Sequence, residues 1–189
     1  MTKRDAICET ALELFAEKGI EATTTREIAE KAGAAEGTLY RHFDGKDDLA
    51  QWLYQRCAHQ LEETLNEAAE YASSPPARLE ALVRGVFNFY ASKPASCTYL
   101  LSARQSGLRE DDADEALPLP LRRFADALDA GMQDGTFRDA PAPLMAGWIL
   151  AMVQQTVRSL KADALSIAPQ AAIDRTVDAA LRLAEAPLA

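Results

Sequence analysis

The sequence predicts an all-α protein: a compact head of three short helices, joined by a long fourth helix to a larger helical body. Three observations carry that prediction. Apolar residues recur at spacings of three and four along nearly the whole chain, with no alternating β-branched run and no Asn-Gly hairpin signal to break them. All nine prolines lie at or after Pro75, beginning with the Ser73-Ser74-Pro75-Pro76 break. Glycine runs the other way, with Gly19, Gly33, Gly37 and Gly45 dividing the first 45 residues at the intervals of small helices and tight turns. These patterns assign residues 1–48 to the head and 49–189 to the body.

The first helix is expected over residues 4–18, where Ile7, Cys8, Ala11, Leu14 and Phe15 share a face and Gly19 suits the left-handed position after the last turn. The second opens at Thr24, three residues before Glu27. That capping-box spacing lets the hydroxyl and the carboxylate each satisfy an end amide, and Ile28, Ala29 and Ala32 then face inward. After a turn at Gly33-Ala34-Ala35, a third short helix places Leu39 and Phe43 one turn apart and inward, leaving Gly37, Thr38, Arg41 and His42 outside. The fourth starts after Asp44-Gly45, with Asp47 and Asp48 near its positive end. It runs through Leu49, Trp52, Leu53, Cys57, Leu61 and Leu65 to Ala68, roughly 40 Å at ~1.5 Å per residue. Beyond the proline break, helices are expected near residues 77–91, 95–106, 119–133, 143–161 and 170–185, with prolines at or near their starts, where a missing N–H costs least.

Composition removes several classes of function. At 189 residues and 20.6 kDa, with 48% hydrophobic and 26% charged residues, the chain can bury a genuine core without disulfide staples. Cys8, Cys57 and Cys97 are odd in number, widely spaced and lack a CxxC pair, which fits a reducing cytoplasm better than a secreted framework or a thiolate metal site. Asp5, Glu9 and Glu13 interrupt the stretch that a signal peptide keeps apolar, and no run approaches membrane-spanning length, so no membrane partner is expected. His42 and His59 are the only imidazoles. No metal, no cofactor and no catalytic residue is expected, and an enzyme is disfavoured. The net charge of -9 repels polyanions, so any nucleic-acid contact must be local.

Two short helices joined by a glycine-containing turn, the second presenting small and polar side chains outward, make a helix-turn-helix, whose second helix fits the major groove of double-stranded DNA. The letters narrow this further. The run TTTREIAEKAGAAEGTLYRHFDGKDDL at residues 23–49, preceded by ALELFAEKGIEATT, resembles the DNA-binding segment of TetR-family repressors. The resemblance includes Gly-Thr-Leu-Tyr-Arg-His-Phe at 37–43 and covers about the first fifty residues; beyond them it is architectural. It implies that Thr24, Thr25 and Arg26 donate to the DNA backbone through hydroxyls, end amides and charge, with helix capping the alternative for Thr24. Ala35, Gly37 and Thr38 belong to the same interface, Gly37 by allowing close approach and Thr38 by touching a base edge or a thymine methyl. Tyr40, His42 and Lys46 resemble the family's phosphate contacts, with packing the alternative for Tyr40, while Arg41 reads guanine or binds phosphate. Ala34, Ala35 and Glu36 depart from the hydroxyl or cation that the family often has between the two helices. Seven Lys and Arg against eleven Asp and Glu leave residues 1–48 at -4, so binding is expected to weaken strongly with salt and to need both subunits.

In the body, Met145, Trp148, Ile149 and Met152 form one apolar row of the penultimate helix, and Leu150, Val153, Val157 and Leu160 form another, as in a helix buried on two sides. With Ile173, Val177, Leu181 and Ala184 of the final helix, this resembles the dimer interface of TetR-like proteins; an intramolecular core is the alternative. Phe87, Phe89, Tyr90, Tyr99, Phe124, Met132, Trp148 and Met152 supply aromatic and sulfur-bearing walls, with Arg104 and Gln155 as polar anchors. Such walls suit a cavity for a small, largely apolar effector, and core packing is the alternative. The acidic stretch at 109–115 reads as a solvated loop. The resemblance implies a homodimeric transcriptional regulator, a repressor whose paired heads, about 34–36 Å apart, meet successive major grooves of a palindrome. An effector would shift the fourth helix and lower operator affinity. A helical ligand-binding or interaction protein with little DNA affinity is the alternative reading.

Overall fold

The computed structural model describes residues 2–103 and 119–185, and these are helical nearly throughout, as the sequence predicts. The expected end of the sixth helix at 104–106 and the acidic stretch at 109–115 lie outside the described residues. Two compact units emerge: one from residues 2–60 and 93–103, the other from 61–92 and 119–185.

In the first unit, α1 (Lys3–Lys18) opens on a complete capping box. Asp5 N donates to Thr2 Oγ1 at 3.1 Å and Thr2 N donates to Asp5 Oδ2 at 2.8 Å, which holds the Asp5 carboxyl below its ordinary range. Ile7, Cys8, Ala11, Leu14 and Phe15 are buried, as their spacing predicts. α2 (Thr25–Lys31) begins at Thr24, whose Oγ1 accepts from Glu27 N at 3.2 Å. The predicted reciprocal half of that box gives way to charge. Glu27 binds the Lys18 ammonium instead and lies 3.7 Å from Lys31, so its carboxyl is pulled below the usual range chiefly by Lys18.

The turn after α2 needs Gly33, whose φ of 60° is costly for any residue with a Cβ; Ala34 N then donates to Ala29 O at 2.9 Å. α3 (Glu36–Leu39) is a single turn, extended by Phe43 N donating to Leu39 O at 3.0 Å, and both Leu39 and Phe43 are buried. α4 (Lys46–Ala69) supplies its first fifteen residues to this unit. The unit is closed by α6 (Pro94–Ala103), which packs on α1. The Tyr99 ring stacks on Phe15 at 5.8 Å, and its hydroxyl donates to Ala50 O at 2.7 Å. Burial pushes the neighbouring Cys97 thiol up to about 12.

The second unit holds the rest of α4 with α5 (Pro75–Ser92), α7 (Leu119–Gln133), α8 (Ala142–Lys161) and α9 (Pro169–Ala184). α5, α6, α8 and α9 begin one or two residues before the expected starts, because Pro75, Pro94 and Pro169 stand inside the first turn and Pro141 caps α8. Arg84 ties α5 to α9, donating to Asp174 Oδ1 at 2.8 Å while its Nε donates to Glu80 at 2.8 Å. Phe137, on the strand-like link after α7, lies against bare Gly131: a Cβ there would meet its ring at 2.2 Å.

Candidate nucleic-acid interface

Buried Ile28, Ala29, Leu39 and Phe43 turn the opposite sides of α2 and α3 to solvent. The polar residues there engage one another. Thr25 Oγ1 donates to Glu36 Oε1 at 2.7 Å and lies 3.4 Å from Tyr40 Oη, so three of them meet across the turn. Tyr40 is 53% exposed, an uncommon state for so large a ring. Arg26 Nε donates to Glu30 Oε1 at 2.8 Å, and Arg41 donates to Thr38 Oγ1 at 3.2 Å. His42, Ala35 and Gly37 are exposed.

Two expected contacts already serve the fold. Thr24 caps α2, and the half-buried Lys46 donates to Ile20 O at 2.9 Å, fastening the start of α4 to the turn after α1. An ammonium has three protons, so Lys46 keeps donors beyond that bond. A similar bond was not anticipated: Lys3 Nζ donates to Gly33 O at 2.9 Å, bracing the turn between α2 and α3. Nor was the pair of cations on Trp52, where the guanidinium carbons of Arg4 and Arg56 lie 4.5 and 5.5 Å from the ring centroid. Neither has a local sequence signal.

Gly37 is informative because the fold does not require it. Its φ is not in the left-handed region and a Cβ there would meet nothing within 4 Å, whereas Gly33 and Gly19 stand at positive φ. A glycine in a helical turn disfavours that turn relative to alanine. Here the missing side chain leaves room on the outer surface.

The eight residues expected around one cavity stand in different surroundings. Tyr99 belongs to the core of the first unit, Phe87 and Phe124 are fully buried in the second, and Tyr90 is half-buried. Trp148 is 48% exposed, Arg104 lies outside the described residues, and Met152 and Gln155 line a common space. That space is an open groove of about 620 Å³ between α8 and α9, lined also by Leu165 and Ile167 of the connection between them. The expected dimer residues are largely covered within the single chain. Leu150, Val153, Val157 and Val177 are buried within the subunit, and Leu160, Ile173 and Leu181 are half-buried. The outward row of α8 is instead Leu144, Trp148, Ala151 and Gln155, beside the half-buried Gly147 and Met152. Both rows are apolar at helical spacing, and spacing alone does not say which one faces the chain's own core.

A braced helix-turn-helix with a polar, glycine-relieved outer face defines a DNA-binding protein of the helix-turn-helix class. Residues 7–52 match the family model described as "Bacterial regulatory proteins, tetR family". The chain is 32% identical over 144 residues to the HTH-type transcriptional repressor KstR2 of Rhodococcus jostii, a match covering 72% of this chain and 68% of that one. It therefore belongs to the TetR family and is a transcription regulator rather than an enzyme. A tetR-family regulatory protein from Rhodococcus RHA1 superposes with a TM-score of 0.81 over the whole of both chains at 24% identity. FadR of Bacillus subtilis, solved in complex with stearoyl-CoA, superposes at 0.72, with 21% identity over 94% of this chain and 97% of that one. No helix among the described residues is long and apolar enough to cross a membrane.

Proposed function

We propose that this chain is a cytoplasmic repressor that binds a palindromic operator as a homodimer and releases it when its body takes up a small, largely apolar effector. Residues 1–48 read DNA, and residues 49–189 bind the effector and the second copy. Gly37 carries this reading: an exposed glycine that the fold does not need, beside Thr38, Tyr40 and Arg41, fits a surface to which another molecule's backbone comes close. Thr24, Thr25, Arg26, Tyr40, His42 and Lys46 take the phosphates, and Ala35, Thr38 and Arg41 face the bases.

The second copy sits on the outward row of α8. Leu144 and Trp148 are 49% and 48% exposed, and between them Gly147 has open space where a Cβ would stand. A glycine inside a helix costs about 1 kcal/mol relative to alanine, and close approach of another helix supplies a reason for it. The stearoyl-CoA held by Bacillus subtilis FadR supports an acyl chain as the apolar part of the effector.

Selection from a randomised duplex pool tests the reading, followed by titration of the selected complex with stearoyl-CoA or a free fatty acid. The expected result is a palindrome whose affinity falls strongly with salt, and whose binding lowers effector affinity by the same factor that effector lowers operator affinity. Selection of no sequence at all would reject the repressor and leave a helical ligand-binding protein.

A further inference from the structure

Thr25 has a single hydroxyl proton, and in the free protein that proton is committed to Glu36 at 2.7 Å. A phosphate oxygen only accepts, as an ionised carboxylate does, so Thr25 cannot serve Glu36 and a phosphate together. Tyr40 Oη, 3.4 Å from the same Thr25 oxygen, stands in the same network. When the two hydroxyls turn to the DNA backbone, the Glu36 carboxylate loses its partner at the mouth of an anionic groove.

A released carboxylate there needs a donor. Major-groove edges offer two: the N4 amino group of cytosine and the N6 amino group of adenine. They are not equivalent. The adenine amino group is flanked by N7, whose lone pair repels the second carboxylate oxygen, whereas the cytosine amino group is flanked by a C–H. Guanine and thymine present acceptors alone, O6 with N7 and O4 respectively, and leave the charge unpaired. Glu36 is exposed, pairs with a neutral hydroxyl in the free chain, and lies at the first residue of α3, two positions before Thr38. Its negative charge also reaches Arg26, one of the expected backbone donors.

We propose that Glu36 is a specificity-determining residue: it masks the Thr25 hydroxyl off DNA and, on the operator, accepts from the amino group of one cytosine in each half-site. The inference rests on the repressor reading above. Its consequence is discrimination by repulsion, because guanine or thymine at that position leaves the carboxylate facing acceptors alone and adenine sets the N7 lone pair beside its amino group. An acidic head with weak general affinity then retains a sharp preference.

Full-length wild type, Glu36→Ala and Glu36→Gln are compared by selection from a random duplex pool, by anisotropy on a non-operator duplex and by thermal melting. Wild type is expected to select cytosine at one position per half-site. Glu36→Ala loses preference at that position alone, and Glu36→Gln moves it toward adenine, whose N6 and N7 suit an amide. Both variants bind the non-operator duplex about tenfold more tightly, with melting unchanged. An unaltered consensus from Glu36→Ala, or weaker non-operator binding by both variants, overturns this inference while leaving the repressor intact. A wild-type chain that selects no sequence overturns both.

Discussion

The outer face of α2 and α3 and the outward row of α8 are both exposed, yet they differ in what they leave unsatisfied. On the first, Thr25, Glu36, Arg26, Glu30, Thr38 and Arg41 are hydrogen-bonded to one another, so a partner must exchange bonds already made. On the second, Leu144 and Trp148 stand in water with apolar surface uncovered, and covering it is favourable at about 25 cal/mol per Å² without any exchange. Exposure alone therefore does not describe a binding surface. The polar face suits a partner that is chosen and released, and the apolar row suits one that stays.

The largest expected effect breaks the apolar side of this comparison. Leu144→Glu combined with Trp148→Glu should convert a dimer into a monomer by light scattering and lower operator affinity about a hundredfold or more, since two linked heads bind as one unit. A variant that remains dimeric places the second copy elsewhere. Next, Gly37→Ala sharpens the polar side: operator affinity should fall about tenfold while thermal stability holds or rises, because alanine favours a helical turn over glycine. Unchanged affinity would remove the close-approach role.

Smaller effects separate residues that only contact DNA from those that also support the fold. Tyr40→Ala and Lys46→Ala should each weaken binding several-fold across all sequences, and the lysine change should lower the salt slope by about one. Lys46→Ala should also lower the melting temperature, because Ile20 O keeps Thr23 N but loses the ammonium that ties α4 to it, whereas Tyr40→Ala should not. The effect confined to alkaline pH belongs to the interior that neither surface uses. Burial raises the Cys97 thiol to about 12 from an ordinary 9.0, so its contribution to stability is full below pH 9.0 and is lost as pH rises toward 12. Melting temperature should decline across that window, and Cys97→Ala should flatten the decline.

Much of the head was legible because its signals are local. Gly33 marks the turn, Thr24 caps α2, and Leu39 with Phe43 fixes which side of α3 is buried and therefore which side is offered. The Thr24–Glu27 spacing was half right, because Lys18 lies close enough to take the carboxylate and electrostatics outweighed the local bond. The box at Thr2 and Asp5, with the same chemistry at the same spacing, is complete. In the body, periodicity marked α8 as apolar on two sides but did not distinguish inside from outside. That assignment depends on where α5, α7 and α9 pack, which is long-range information. Tyr99 reads as body for a related reason: an aromatic late in the chain carries no local sign of the Phe15 ring it stacks on.

That contact has a practical outcome for protein engineering. The lid over Phe15 comes from a helix more than thirty residues past the point where an N-terminal fragment would ordinarily be cut. A truncated head ending within α4 would bare the stacked face of Phe15 and strip the Ala50 carbonyl of the Tyr99 hydroxyl, so grafting the reader onto another scaffold requires α6, or a designed substitute for it, to travel too.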